Sequence, residues 1–458
     1  MSTSGYGFRG FQPAAALPTA AAWPAAATAS PQDRFTGTGF CFFLVTLLIP
    51  LSAFSWGRLP LPGLQVHAYL VALAPLLLYV AVRRLADFPL GALLCMVVFV
   101  TMYIFSVLAG AGEYVSYYQE ILKIGGGMGT TLAAALCIRS TRDFRLAVVG
   151  IAVGVVALCF KGFSSTTFHA GVNPLEMANE NAWSLYSLPP VLLGGLLVLD
   201  KSIAKWLRTF LAICVVITAV GILASANRSG WLGLALILLM LLGQGQFFRA
   251  AIVLGVVGAI SYVLLNTFFT TSVLQTQIET TAKGDTTDML RVKLFMSALM
   301  IGIQRPILGA SPQGLYFELA EDIAGHKATI DPHNVVAHLV GGTGLVASLC
   351  FFGMMILLWQ RGRGVPKDYF GNATARLAHR YLKLLMVLWI IRGLFSREIL
   401  YMPVFAAAWG ICIGWCITQG VWKANPALGA ATAAPPDSPP LPTAMPPGGR
   451  WQAARRFR

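Results

Sequence analysis

Charge is what this sequence has least of. Asp, Glu, Lys and Arg make up 11% of the 458 residues, hydrophobic types make up 57%, and the mean hydropathy is +0.70. Soluble domains carry about a quarter charged residues, so a soluble enzyme is excluded. Long apolar runs instead describe a polytopic α-helical membrane protein. Metal-ligand patterns are missing too. Cys41, Cys95, Cys137, Cys159, Cys214, Cys350, Cys412 and Cys416 all lie inside apolar stretches without CxxC or Cys/His spacing, which argues against disulfides and zinc. There is no DxD pair, and the acids expected on the outer side stand singly or as Glu321-Asp322, so a divalent ion has no obvious ligands. Residues 1–34 contain no apolar run long enough for a signal peptide. Rich in Ala, Pro, Ser and Gly, they read as a disordered tail.

A net charge of +15 suggests a nucleic-acid partner until its distribution is considered. With a cytoplasmic N-terminus, 22 of the 33 Lys and Arg fall in inner segments, against 6 of the 18 acids. That is the positive-inside bias, and it leaves no case for nucleic acid. Apolar runs predict spans at about 35–56, 64–82, 88–110, 117–138, 144–160, 182–200, 204–224, 229–245 and 247–266, then at 333–359, 379–396 and 399–420. The expected fold class is all-α: a polytopic integral membrane protein with about twelve transmembrane helices and both termini cytoplasmic. Residues 35–266 hold the first nine helices, 267–332 form a large, partly helical outer loop, and 333–420 hold the last three. Residues 421–458 are a Pro/Ala-rich basic tail on the anionic inner leaflet.

Polar residues cluster where the long outer loop runs back into the membrane, at Asp331-Pro332-His333-Asn334 through His338 to Gly344. Pro followed by His-Asn at the mouth of an apolar span puts an imidazole on the first turn of a helix, at the membrane surface. His338 is five residues on, about 140° round that helix, so the two rings point apart. His67 and His379, near span ends, read as packed residues, and His169 and His326 lie in outer loops without a supporting pattern. Within the outer loop, Asp285 to Gln304 reads as an amphipathic helix with Leu290, Leu294, Ser297, Ala298 and Ile301 on one face and Arg291 beside them. It is expected to lie across the outer mouth and to end at Pro306-Ile307-Leu308-Gly309. The outward turn Ala226-Asn227-Arg228-Ser229-Gly230-Trp231 holds one guanidinium. Alone, Arg228 reads as a snorkelling anchor. Together with Arg291, on a side that is otherwise not basic, it suits a phosphate or pyrophosphate. Asn179 and Asn181 either contact substrate or cap the helix near Ala182. Gly125-Gly126-Gly127 permits close packing or opens a groove.

These motifs, in this order and spacing, resemble the O-antigen ligase and polymerase superfamily of bacterial envelope enzymes, over about residues 35–420. The resemblance rests on Ala226 to Trp231, on Leu290-Arg291 leading through Ser297-Ala298 to Pro306-Ile307-Leu308-Gly309, and on His333-Asn334 with Gly344 eleven residues after the histidine. Ala347 departs from the usual small residue, most often Gly, and His338 stands where Gln or another polar residue is usual. The resemblance implies a GT-C-like glycosyltransferase of the bacterial inner membrane, working at the periplasmic face. It moves O-antigen from undecaprenyl pyrophosphate to the lipid A–core acceptor, needs no metal or other cofactor, and inverts the anomeric centre. On that reading His333 is the catalytic base and Arg228 and Arg291 bind the donor pyrophosphate. His338, Asn334 and Asn181 are further candidates for substrate contact. An O-antigen polymerase is the nearest alternative. A secondary transporter would need inverted repeats and midplane charges, neither of which is visible.

Overall fold

The apolar runs account for most of the architecture. A computed structural model describes residues 36–53, 58–61, 64–110, 117–163, 180–224, 228–242, 286–324, 330–361 and 373–418. In chain order the helices are α1 (Gly37–Leu51), α2 (Ala68–Arg84), α3 (Leu90–Ala109), α4 (Tyr117–Cys137), α5 (Thr141–Phe163), α6 (Glu180–Leu199) and α7 (Lys205–Ala224). They continue as α8 (Arg228–Leu242), α9 (Thr286–Gln304), α10 (Gly314–Ala324), α11 (Val335–Arg361), α12 (Ala373–Gly393) and α13 (Pro403–Thr418). Each expected span coincides with one of these except 247–266. That span lies outside the described residues, as do both tails and the outer loop before Thr286.

Among the described residues, five helices are long and apolar enough to cross a membrane: Ala68–Asp87, Leu90–Ala109, Thr141–Lys161, Lys205–Leu223 and Val335–Gln360. Gly37–Leu51, Trp183–Leu199, Ser229–Met240 and Pro403–Thr418 are apolar but shorter. The protein is thus a mainly α-helical membrane protein. Among the described residues, a small antiparallel hairpin of β1 (Arg58–Leu61) and β2 (Leu64–His67), in which Leu61 pairs with Leu64, departs from the all-α expectation.

Small residues set the closest helix approaches, as expected where lipid removes the hydrophobic driving force between helices. Gly410 and Gly414 of α13 meet the carbonyls of Thr131 and Ala135 on α4, and Gly150 and Gly154 of α5 meet Phe43, Thr46, Leu47 and Pro50 on α1. Every side chain of α13 from Pro403 to Cys416 is buried, which makes it a central helix apolar on all sides. Arg392, near the end of α12, is fully buried rather than interfacial, and donates to Ser184 Oγ of α6 at 2.9 Å.

The helix that follows the site is broken. At Gly344 φ is 83° and ψ is 174°, so α11 consists of two segments, Val335–Thr343 and a longer one beyond. An unbroken helix would send the Leu345 N–H to the Gly341 carbonyl. Instead it donates to Pro306 O at 2.8 Å, and Gly341 O accepts from Ala310 N at 2.8 Å. The turn after α9 therefore satisfies the backbone groups that the break exposes, as the membrane interior requires. Ser106 Oγ of α3 lies 2.6 Å from Leu308 O and 2.7 Å from Gly342 O and ties both partners to a third helix. α9 starts and ends where expected, but it runs along the first segment of α11 instead of across the mouth. A Cβ on Gly341 would strike Ala298, one on Gly302 would strike Val340, and one on Gly344 would strike Pro306 and Ile307.

Candidate functional site

The site is built around the start of α11. Asn334 Oδ1 accepts the N–H groups of Val336 at 2.8 Å and Ala337 at 3.2 Å, so Asn334 is the N-cap. This corrects the expectation for His333, which stands one residue outside the helix rather than on its first turn. Its φ of 49° lies in the left-handed region. Such a conformation costs a non-glycine residue roughly 1–2 kcal/mol, and here it is held by Asp331, whose Oδ1 accepts the His333 N–H at 2.8 Å. The other oxygen, Oδ2, lies 3.8 Å from His333 Nδ1 and 2.6 Å from Nε of Arg397. Burial pushes the Asp331 carboxyl above the ordinary carboxylate range, while the His333 imidazole and backbone N–H act the other way. The His333 side chain is 41% exposed and that of Asp331 22%. The result is an accessible imidazole with a carboxylate at one ring nitrogen, which suits proton removal from a substrate hydroxyl.

A second, buried chain of polar groups starts from Arg397. Its guanidinium lies 4.3 Å over the Tyr316 ring, and Tyr316 Oη is 3.2 Å from His338 Nδ1. His338 Nε2 meets Tyr401 Oη, and Tyr401 Oη is 2.7 Å from Tyr103 Oη. Tyr103 Oη in turn reaches Glu120 Oε2 at 3.5 Å, and Glu120 pairs with Lys123 at 2.8 Å. His338 is fully buried, and both of its ring nitrogens have hydroxyl partners. It reads as the hub of a satisfied network, since a half-satisfied one would be costly in so dry a setting.

The other expected residues are distributed around this centre. Arg291 is exposed near the start of α9. Leu294 and Ala298 of α9 pack with Ala337 of α11, which puts Arg291 and His333 at the same end of the two helices. Arg228 opens α8 and Asn181 lies in the first turn of α6, although their side chains are outside the described set. The two uses of the Asn334 side chain are the cap and a 3.2 Å bond from Nδ2 to Leu394 O. Of the three glycines, Gly127 packs on the backbone of Leu400 and Tyr401. Gly125 faces open space in an apolar groove of about 470 Å³ between α2 and α4. Among the described residues no group of three or more His, Cys, Asp or Glu is placed to hold a metal ion.

Glu120, Lys123, Tyr103, Tyr316, Arg397 and Tyr401 were not singled out from the sequence. A local signal existed for one pair only: Glu120 and Lys123 are charges three apart on an otherwise apolar helix, a pattern that usually marks function or pairing.

A family model described as O-antigen ligase matches residues 213–352. Over that stretch, less than half of the chain, the protein is similar to the O-antigen ligases. The matched stretch runs from within α7 to Phe352 in α11, and includes Arg228, Arg291, Asp331, His333, His338 and Gly344. Tyr103, Glu120, Lys123, Arg397 and Tyr401 come from outside it, so the buried chain of polar groups joins the matched stretch to the segments on either side. This likeness supports a function of the O-antigen ligase or polymerase type, in a protein whose described residues include helices of membrane-crossing length. No curated protein matches the chain.

Proposed function

We propose that this protein is an inner-membrane glycosyltransferase that moves O-antigen polysaccharide from undecaprenyl pyrophosphate to the lipid A–core oligosaccharide on the periplasmic face. The acceptor hydroxyl attacks the anomeric carbon, the bond from that carbon to the pyrophosphate oxygen breaks, and His333 takes the hydroxyl proton. Arg228 and Arg291 stabilise the leaving pyrophosphate, which in the absence of a metal needs cationic hydrogen-bond donors. Attack opposite the leaving group inverts the centre. In this reading the chain crosses the membrane about twelve times, with both termini in the cytoplasm.

The observation that carries the reading is the Asp331–His333 pair inside the stretch similar to the O-antigen ligases: one half-exposed imidazole, oriented by a carboxylate that Arg397 holds in place. It also favours His333 over His338 as the base, because His338 has no exposed surface. A base of this kind gives about 10²–10⁴-fold. With purified donor and acceptor, His333→Ala is expected to bind donor and lose transfer by that factor, Asp331→Asn to fall between it and wild type, and His338→Gln to retain transfer. A product with the donor's anomeric configuration, or near-normal turnover by His333→Ala, overturns the mechanism. The polymerase alternative uses the same donor with a second carrier-linked chain as acceptor. A deletion strain separates the two: carrier-linked polymer accumulates if a ligase is lost, and a single capped repeat remains if a polymerase is lost.

A further inference from the structure

Helix α9 has three faces, and the site accounts for two of them. Leu294, Ala298 and Gly302 pack on α11. Lys293, Ser297 and Gln304, with Met296 and Met300 at its edge, line an open cavity of about 1010 Å³ whose far wall carries Glu318 and Glu321 of α10. The third face is exposed and packs on none of the described helices. At helical spacing, Val292 and Ile303, with Ile307 in the turn beyond and Met296 and Met300 on the side toward the cavity, form a stripe 53% to 62% exposed. The half-buried Phe295 and Leu299 widen it, and no charged residue interrupts it. Soluble surfaces rarely expose so long an apolar band, and a helix apolar on two opposite faces is not built to lie between protein and water.

The stripe leads directly onto α11. Pro306 O accepts the N–H of Leu345 at 2.8 Å and of Val346 at 3.4 Å, and the Ile307 backbone abuts Gly344. Past that junction the exposed large apolar side chains on α11 are Val346, Leu349 and Ile356, and this part of α11 belongs to a helix of membrane-crossing length and hydropathy. The unpartnered stripe of α9 is therefore continuous with a lipid-facing surface. α9 is only 19 residues long, with Asp288, Arg291 and Lys293 near its start, so it is unsuited to cross the bilayer on its own.

We propose that α9 and the turn from Arg305 to Gln313 form a re-entrant element. It enters the bilayer beside the first segment of α11, turns at the Gly344 break and returns through α10, with the Val292–Ile307 stripe covered by lipid acyl chains. The polar groups at the start of α9 remain at headgroup level, where Arg291 and Lys293 meet lipid phosphates. The backbone requirement of such an element is met by the exchange between Pro306, Ala310, Gly341 and Leu345.

Collisional accessibility of nitroxide labels in protein reconstituted into liposomes tests this. Single cysteines replace Ile303, Ile307, Gln304 or Leu349 in a background lacking the eight native cysteines that still supports O-antigen assembly. Ile303 and Ile307 are expected to behave like Leu349, with high accessibility to oxygen and low accessibility to a water-soluble nickel chelate, and Gln304 is expected to show the reverse. Nickel accessibility at Ile303 equal to that at Gln304 would make the stripe aqueous and overturn the proposal. Low accessibility to both reagents, with an immobilised spectrum, would mean that protein covers the stripe and would overturn it too. If the background fails to fold, a phospholipid bearing a diazirine on its acyl chain is photolysed with the wild-type protein. Adducts on the 292–307 peptide at the level found on 345–356 support the proposal, and adducts on 345–356 alone refute it.

Discussion

Replacing Gly344 by alanine tests the geometry on which the site depends. The residue has φ 83° and ψ 174°, a region almost confined to glycine and costing other residues about 1–3 kcal/mol. A Cβ there would also lie 2.7 Å from the Pro306 carbonyl oxygen and the Ile307 carbonyl carbon. Both contacts are backbone and cannot swing aside, and overpacking of that kind costs about 1–3 kcal/mol. Together the two effects amount to about 2–6 kcal/mol, a large share of the roughly 5–15 kcal/mol that holds an ordinary domain together. Gly353, nine residues along the same helix, is the control: a Cβ there meets only Cys95 Sγ, at 3.8 Å, and alanine in a helix interior gains about 0.5–1 kcal/mol over glycine. Thermal unfolding in detergent micelles should therefore show Gly344→Ala well below wild type and Gly353→Ala at or above it. Because the same junction seats the first segment of α11, whose start carries Asn334 and His333, against the turn after α9, Gly344→Ala should also reduce O-antigen transfer. Equal unfolding midpoints for the two variants would refute the account of α11 as a helix broken to receive the Pro306 turn.

Two further outcomes concern leaving-group stabilisation. Lysine cannot reproduce a bidentate guanidinium contact, so Arg228→Lys and Arg291→Lys are each expected to lose about one to two orders of magnitude in transfer rate at normal protein level, for charged hydrogen bonds of about 1.5–3 kcal/mol; wild-type rates from both would return these residues to the role of interfacial anchors. Transfer in EDTA should match transfer without it, and a loss of activity restored by magnesium or manganese would show that cations other than the arginines carry the pyrophosphate charge.

The helical part of the fold was readable because lipid makes one simple demand, about twenty apolar residues per crossing. The ends of α3, α4, α6 and α7 fall within two residues of the apolar runs that predicted them. Packing was less readable. Gly125, Gly126 and Gly127 stand side by side in the sequence, yet one opens on a groove and another supports the backbone of Tyr401, because successive positions on a helix face different neighbours. The orientation of α9 was also hidden. Its buried face carries the expected Leu294 and Ala298, but the second apolar face, with Met296, Met300 and Ile303, spoils the amphipathic pattern of a surface helix, and only the junction with α11 explains it.

The site divides the same way, according to how far apart in the sequence its members lie. His333 was found from a local pattern, Pro-His-Asn before an apolar run, but its setting was misjudged because two capping rules compete there. Proline favours the first helical position, which would place His333 in the first turn; asparagine favours the N-cap. Asn334 prevails, since its Oδ1 satisfies two N–H groups that would otherwise be unpaired. His333 is thereby left outside the helix, with Asp331 holding its backbone N–H and lying 3.8 Å from its ring. His338 had no such local clue. Its partners are Tyr316 and Tyr401, and Tyr401 meets Tyr103 from 298 positions away; a lone tyrosine in an apolar stretch is an ordinary membrane residue. What makes them a unit is the cost of leaving any of their polar atoms unpaired in a dry interior. That constraint acts only once α3, α4, α11 and α13 are packed together, so no motif of local spacing records it.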